Sequence, residues 1–154
     1  MGQITAIRLI SATSEQVFEI ISQAHNFSKA VPHITNVEFL SSTKTGVGTR
    51  FRETRLMKGK ASSTVLEVTE FIPNERIRLV SDQGGTIWDT LFTVEKHSDN
   101  QTKPGTKLEM IMDVTPYKII AKIVTPFITG IVNKAVQKDM DSIKSYCEKH
   151  STAL

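Results

Sequence analysis

Apolar and polar positions alternate in run after run between residues 34 and 115. Over 49–57, Phe51, Glu53, Arg55 and Met57 share one face of a strand, opposite Arg50, Arg52 and Thr54. Over 75–81, Ile77 and Leu79 oppose Arg76 and Arg78. Trp88, Thr90, Phe92 and Val94 line up over 86–96, and Leu108, Met110, Met112 and Val114 alternate against Lys107, Glu109 and Asp113 over 107–115. Val37 and Phe39 pair on one face of 34–42, and 61–72 is long and β-rich. A period of two is the pattern of strands with one face buried and one wet. The runs are separated by TKTGVG, Lys58-Gly59-Lys60, Pro73-Asn74, Asp82-Gln83-Gly84-Gly85 and the very polar HSDNQTKPG, all rich in turn-forming residues. Short turns between successive strands predict an antiparallel sheet with one solvated side.

The ends of the chain change period. Residues 3–11 suit an opening strand, although Ile4, Ile7, Leu9 and Ile10 do not show which face is buried. Ser14 is placed to cap a first helix, whose apolar stripe is Val17, Phe18, Ile20 and Ile21. Asn26 is placed to cap a second short helix over 26–31, which Pro32 stops.

Residues 116–149 read as one long helix, with Thr115 as cap and Pro116 as first helical residue. Pro126 removes a hydrogen bond inside it and crowds the carbonyl of Lys122, which predicts a kink. In the second half, Val132, Ala135, Val136, Met140, Ile143 and Cys147 form one stripe, with Lys134, Gln137, Lys138, Asp141, Lys144 and Glu148 opposite. That is an ordinary core helix. In the first half, Val124, Ile128 and Ile131 extend the stripe, while Ile119, Ile123 and Phe127 add a second apolar row. Either the short helices at 14–31 cover this row, or it lines a cavity, meets a partner or touches lipid.

Composition narrows the function. A chain of 154 residues predicts one domain, 1–154, with bulk for a real core. The net charge of +3 comes from scattered rather than clustered lysines and arginines, so no nucleic-acid footprint is expected. A weak, transient contact with an anionic membrane surface stays open. One cysteine excludes an internal disulfide and suits a reducing compartment. MGQITAIRLISATSEQ does not read as a signal peptide, and Ala6 stands where a myristoylation motif wants Ser or Thr. The segment 119–136 is interrupted by Lys122, Pro126, Gly130 and Lys134, which argues against a membrane span. A soluble cytoplasmic protein is expected.

The order strand, two short helices, antiparallel strands, long terminal helix resembles the START-like (SRPBCC, Bet v 1-like) superfamily of polyketide cyclase/dehydrase and lipid-transport proteins. The strings SATSEQVFEII, GVGTRFRETRLMKGK, EVTEFIPNERIRL and GTKLEMIMDV carry the likeness, which spans nearly the whole chain. The resemblance implies an α+β helix-grip fold, a curved antiparallel sheet wrapped around the long C-terminal helix, with a deep apolar pocket between them. Its lining would come from the inward strand faces and the first half of the helix. Strand parity then nominates Phe51, Glu53, Arg55, Met57, Trp88, Thr90, Phe92, Met110 and Met112 as ligand-binding residues, and the helix adds Ile120, Val124, Phe127 and Ile131.

Glu53 and Arg55 are charged residues on the same face as Phe51 and Met57. Inside a pocket, Arg55 could orient a ligand carbonyl or carboxylate and Glu53 could act as a general base. The plainer alternative is that the strand twists at its end and both reach solvent. His25 and His33 flank the second short helix without a partner to fix a tautomer, and none of the four histidines has metal-site spacing. No metal, cofactor or catalytic residue is assigned. The leading expectation is binding or transport of an apolar small molecule of lipid, quinone or polyketide type. The alternatives are a polyketide cyclase or dehydratase, and a membrane- or protein-interaction domain. Any gate belongs in the first half of the helix.

Overall fold

A computed structural model describes residues 2–97 and 105–151. In chain order it contains β1 (Gly2–Ile10), α1 (Ser14–Ser22), α2 (Ala24–Ala30), β2 (Ile34–Phe39), β3 (Arg50–Met57), β4 (Lys60–Ile72), β5 (Arg76–Gln83), β6 (Thr86–Lys96), β7 (Thr106–Pro116) and α3 (Ile119–Lys149). The strands form one curved antiparallel sheet in the order β1-β7-β6-β5-β4-β3-β2, the helix-grip arrangement, with α3 laid along the inner face. Most of the expected polar loop between β6 and β7 lies outside the described residues.

The turns follow from backbone conformations that few residues tolerate. Lys58 and Gly59 both have positive φ between β3 and β4, and Gly84 and Gly85 do so between β5 and β6. Two successive left-handed residues make the tight hairpin turn whose twist matches the flanking strands. Asn74 at φ 59° turns the chain from β4 to β5. In β4 the pairing slips between Val68 and Glu70. Leu66 and Val68 face inward before this bulge. Phe71, opposite Ile77, is on the inner side after it, edge-on to Phe18 at 5.4 Å. The bulge is why β4 shows no single alternation in the sequence.

Several expected boundaries move. Thr115 and Pro116 belong to β7, paired with Ile87 and Thr86, so neither caps nor opens the terminal helix. Proline is acceptable there because it ends the strand. The chain then crosses to α3 with the amides of Tyr117 and Lys118 donating to the Gly85 carbonyl at 2.8 and 3.3 Å. α3 is capped by Lys118 without a side-chain bond and runs unbroken through Pro126. In α1 the cap is Thr13, which forms a reciprocal capping box with Gln16. Ser14 is instead a buried helical residue 3.3 Å from the Thr106 hydroxyl. α2 begins earlier than Asn26, whose side chain donates to the Glu19 carbonyl. Val31 adopts an extended conformation ahead of Pro32, as expected.

The core lies where the second half of α3 meets β1, β7, α1 and α2. Met140, Ile143, Val17, Val31, Leu108 and Ile10 are essentially inaccessible there. Burying each such side chain contributes about 1.5–3 kcal/mol. Polar ties fix the same half of the helix to β1 and the residue after it. Arg8 Nε donates to Asp141 Oδ1 at 2.7 Å, Gln137 Nε2 to the Thr5 carbonyl at 3.1 Å, and the Ser11 amide to Glu148 Oε2 at 2.9 Å. Arg8 thus occupies an inward position of β1 while Ile7 and Leu9 face solvent.

At Gly85, φ is +83° and an added Cβ would lie 2.8 Å from Lys118 Cβ, whereas Gly84 has open space. Gly85→Ala is expected to lower urea-unfolding stability by about 1–3 kcal/mol, and Gly84→Ala by visibly less. Burial, with a smaller contribution from Glu148, pushes the Cys147 thiol up to about 11. At pH 8 the native protein should therefore react with dithionitrobenzoate about a hundredfold or more slower than the unfolded chain.

Candidate ligand-binding site

α3 does not cover the whole inner face of the sheet. Its first half stands away from β3, β4 and β5 and leaves a cavity of about 570 Å³. β3 supplies Phe51, Glu53, Arg55 and Met57, β6 supplies Trp88, Thr90 and Phe92, and β7 supplies Met110 and Met112. β4 and β5 add Leu66, Val68, Ile77 and Leu79 from their inward faces. Ile120, Val124, Ile128 and Ile131 form the helical wall, and Ile21 and Phe27 close the end nearest the short helices. Phe27 meets Phe92 edge to face at 6.1 Å, so α2 is packed onto the cavity floor through an aromatic pair.

All the nominated residues line this cavity except Phe127. That ring is 78% exposed on the outer side of α3, in a row with Ile119 and Ile123 that α1 and α2 leave uncovered. Leu108, on the same face as Met110, is packed into the core and takes no part in the lining. Met57, Ile120 and Ile131 are lining residues that are also exposed, and they mark the rim.

Glu53 and Arg55 face inward rather than reaching bulk solvent. Their side chains are 14% and 22% exposed, and they are joined by Arg55 Nε to Glu53 Oε1 at 2.7 Å. The other edge of the guanidinium meets Asp139 on α3, with Nη1 to Oδ1 at 3.1 Å and Nη2 to Oδ2 at 2.8 Å. This two-point contact is the strong geometry for an arginine–carboxylate pair. Burial alone would push the Arg55 guanidinium down, but Glu53 and then Asp139 outweigh it and raise its pKa above the ordinary arginine value. Arg55 is therefore charged at every working pH, and it is shared between two carboxyl groups. Glu53 Oε2 has no protein donor among the described residues and stays accessible. Elsewhere on the wall, the Thr86 and Thr125 hydroxyls bond at 2.9 Å and tie the first half of α3 to β6.

Asp139 is the site residue that sequence patterning missed. It falls four positions after Ala135 and four before Ile143, on the edge of the apolar stripe, and a carboxylate in that place needs a partner. The surplus charge on the inward face of β3 was the matching signal. Neither His25 nor His33 lines the cavity; His25 is exposed and sits edge-on to Phe39. Among the described residues, no group of His, Cys, Asp or Glu is arranged to hold a metal ion.

The sequence matches the family described as polyketide cyclase / dehydrase and lipid transport over residues 1–148. No curated protein matches it. Similar solved structures include TTHA0849 from Thermus thermophilus, at a TM-score of 0.76 and 16% identity over 98% of this chain and 100% of that one. A START superfamily protein from Mycobacterium smegmatis superposes at 0.75 with 13% identity, over 96% and 97% of the two chains. The di-domain ARO/CYC BexL from the BE-7585A biosynthetic pathway superposes at 0.72 with 15% identity, over 99% of this chain and 50% of that one. At such identities the structural likeness establishes the fold. The family match establishes membership: the chain belongs to the polyketide cyclase/dehydrase and lipid transport family.

Removing Arg55 leaves Glu53 and Asp139 as two unneutralised carboxylates. Arg55→Met should cost about 1–3 kcal/mol at pH 7, after allowance for the partial exposure of the cluster. Urea denaturation of wild type, Arg55→Met and the neutral triple variant Glu53→Gln/Arg55→Met/Asp139→Asn at pH 7 reads this directly. The triple variant should recover most of the loss.

Proposed function

We propose that this member of the polyketide cyclase/dehydrase and lipid transport family binds an apolar small molecule in the cavity between its sheet and α3, and carries or senses it. The observation that carries this reading is the cavity. Its volume of about 570 Å³ suits a small organic ligand, and its walls are mainly aliphatic, aromatic and methionine side chains, interspersed with Ser and Thr hydroxyls, Lys44 and the Glu53–Arg55–Asp139 cluster. Met57, Met110 and Met112 give part of the wall an adaptable surface. The ligand class is lipid, quinone or polyketide-like, held mainly by burial and shape. The lone cysteine supports a cytoplasmic setting.

The Glu53–Arg55–Asp139 cluster narrows the polar end of the ligand. Arg55 is already satisfied by two carboxyl groups, so the cluster disfavours an anionic headgroup. Glu53 Oε2 is free to accept a hydrogen bond. A hydroxyl, phenol or amine fits it better than a carboxylate does. Delipidated protein should therefore form one-to-one adducts in native mass spectrometry with a long-chain alcohol and amine. Either ligand at about a hundred times its Kd should add about 2.7 kcal/mol of stability, read as a rise in Tm. The carboxylic acid of equal chain length should bind more weakly. If none of the three binds, the cavity reading fails; if the acid binds best, the assignment of the polar station fails.

A second reading is enzymatic. Glu53 faces the cavity, where a carboxylate could take a proton from an aromatic-polyketide substrate during cyclisation or dehydration. The structural likeness to an aromatase/cyclase, BexL, is consistent with this reading. Should turnover of such a substrate be found, Glu53→Gln ought to reduce kcat by about a hundredfold or more. Unchanged turnover would remove the role.

A further inference from the structure

We infer that the first half of α3 is a docking face for the surface of a membrane containing anionic lipid. Ile119, Ile120, Ile123, Phe127 and Ile131 are between 64% and 78% exposed and follow one another at helical spacing. Single exposed apolar residues are commonplace; a contiguous row of this kind marks an interaction surface. Along the helix its charges are of one sign, and the carboxylate that approaches its start from the sheet, Asp82, accepts from the Tyr117 hydroxyl. Lys118, Lys122, Lys134 and Lys138 are all exposed, and no acidic residue occurs between Pro116 and Lys138. The next acid, Asp139, is committed to Arg55. An apolar row with basic flanks is the composition of a helix that lies in the lipid interface.

Charge also chooses among occupants. A second copy meeting this face through a two-fold axis would bring the four lysines against the same four, with no carboxylate on the helix between them to neutralise them. Anionic lipid headgroups neutralise them, and each lysine near such a surface strengthens binding about fivefold. α3 is long and apolar enough to cross a bilayer, but Val136, Met140, Ile143 and Cys147 commit its second half to the core. The exposed row therefore lies on the membrane. Ile120 and Ile131 belong both to this row and to the cavity rim, so docking sets the opening against lipid. The docking claim rests on the surface alone and does not require the cavity to hold a ligand.

Co-sedimentation tests it, with vesicles of phosphatidylcholine alone and of equal parts phosphatidylcholine and phosphatidylglycerol. The wild type should bind the mixed vesicles, bind the neutral ones far less, and weaken as salt rises. Ile123→Asp/Phe127→Asp should abolish binding, and Lys118→Glu/Lys122→Glu should weaken it about tenfold or more. Both variants alter exposed positions, and an unchanged Tm and unchanged ligand adducts would show that fold and cavity are intact. Two results would overturn the proposal: wild type that ignores phosphatidylglycerol vesicles, or an aspartate variant that binds as well as wild type. A dimer in light scattering that Phe127→Asp dissociates would also overturn it, in favour of self-association.

Discussion

The seating of the second half of α3 on β1 and β7 is the constraint from which the rest follows. Met140 and Ile143 are sealed in the core, while Asp141, Gln137 and Glu148 are tied to the neighbouring strand or the residue after it. A helix fixed at one end of a curved sheet does not follow the curve at the other. The gap opens over β3, β4 and β5, whose inward faces are left with walls and no filling. The cavity thus arises from the geometry of two rigid parts. No insertion or loop is needed to build it.

An ionic bridge crosses that gap. Arg55 links β3 to Asp139 at the point where the helix passes from core to cavity wall. An apolar contact there would have packed as well, and buried ion pairs are not in general more stabilising than good packing. What the ionic version adds is an unshared carboxylate oxygen facing a largely apolar chamber. A binding site made of hydrocarbon alone distinguishes ligands by size and shape; an oriented acceptor adds discrimination by polarity.

Period-two patterning showed the strands and their inward faces wherever one side is wet, and so most of the cavity wall was legible. β1 was opaque because its inner face includes Arg8 and its outer face Ile7 and Leu9, so hydrophobicity and burial disagree. The Thr-Pro pair at 115–116 looked like a helix start because proline suits a first turn and a strand end equally; only the pairing with β6 decides. Phe127 was drawn into the expected lining because a surplus apolar row does not say which way it faces. Asp139 was passed over because its partner lies 84 residues away in sequence, and no local pattern joins them.

Pro126 sits inside α3 near the change from seated to free. A proline contributes no amide hydrogen, so the carbonyl of Lys122 loses its helical partner and the backbone ladder is missing a rung. Cooperativity along a helix is carried by those rungs. The ladder is weakest where the two halves meet, and the first half is held to β6 through Thr125 and Thr86. The first can fray or swing while the second keeps its protection against hydrogen exchange, as when a local opening costs less than global unfolding. In thermodynamic terms, motion of the chamber wall is partly uncoupled from the stability of the fold.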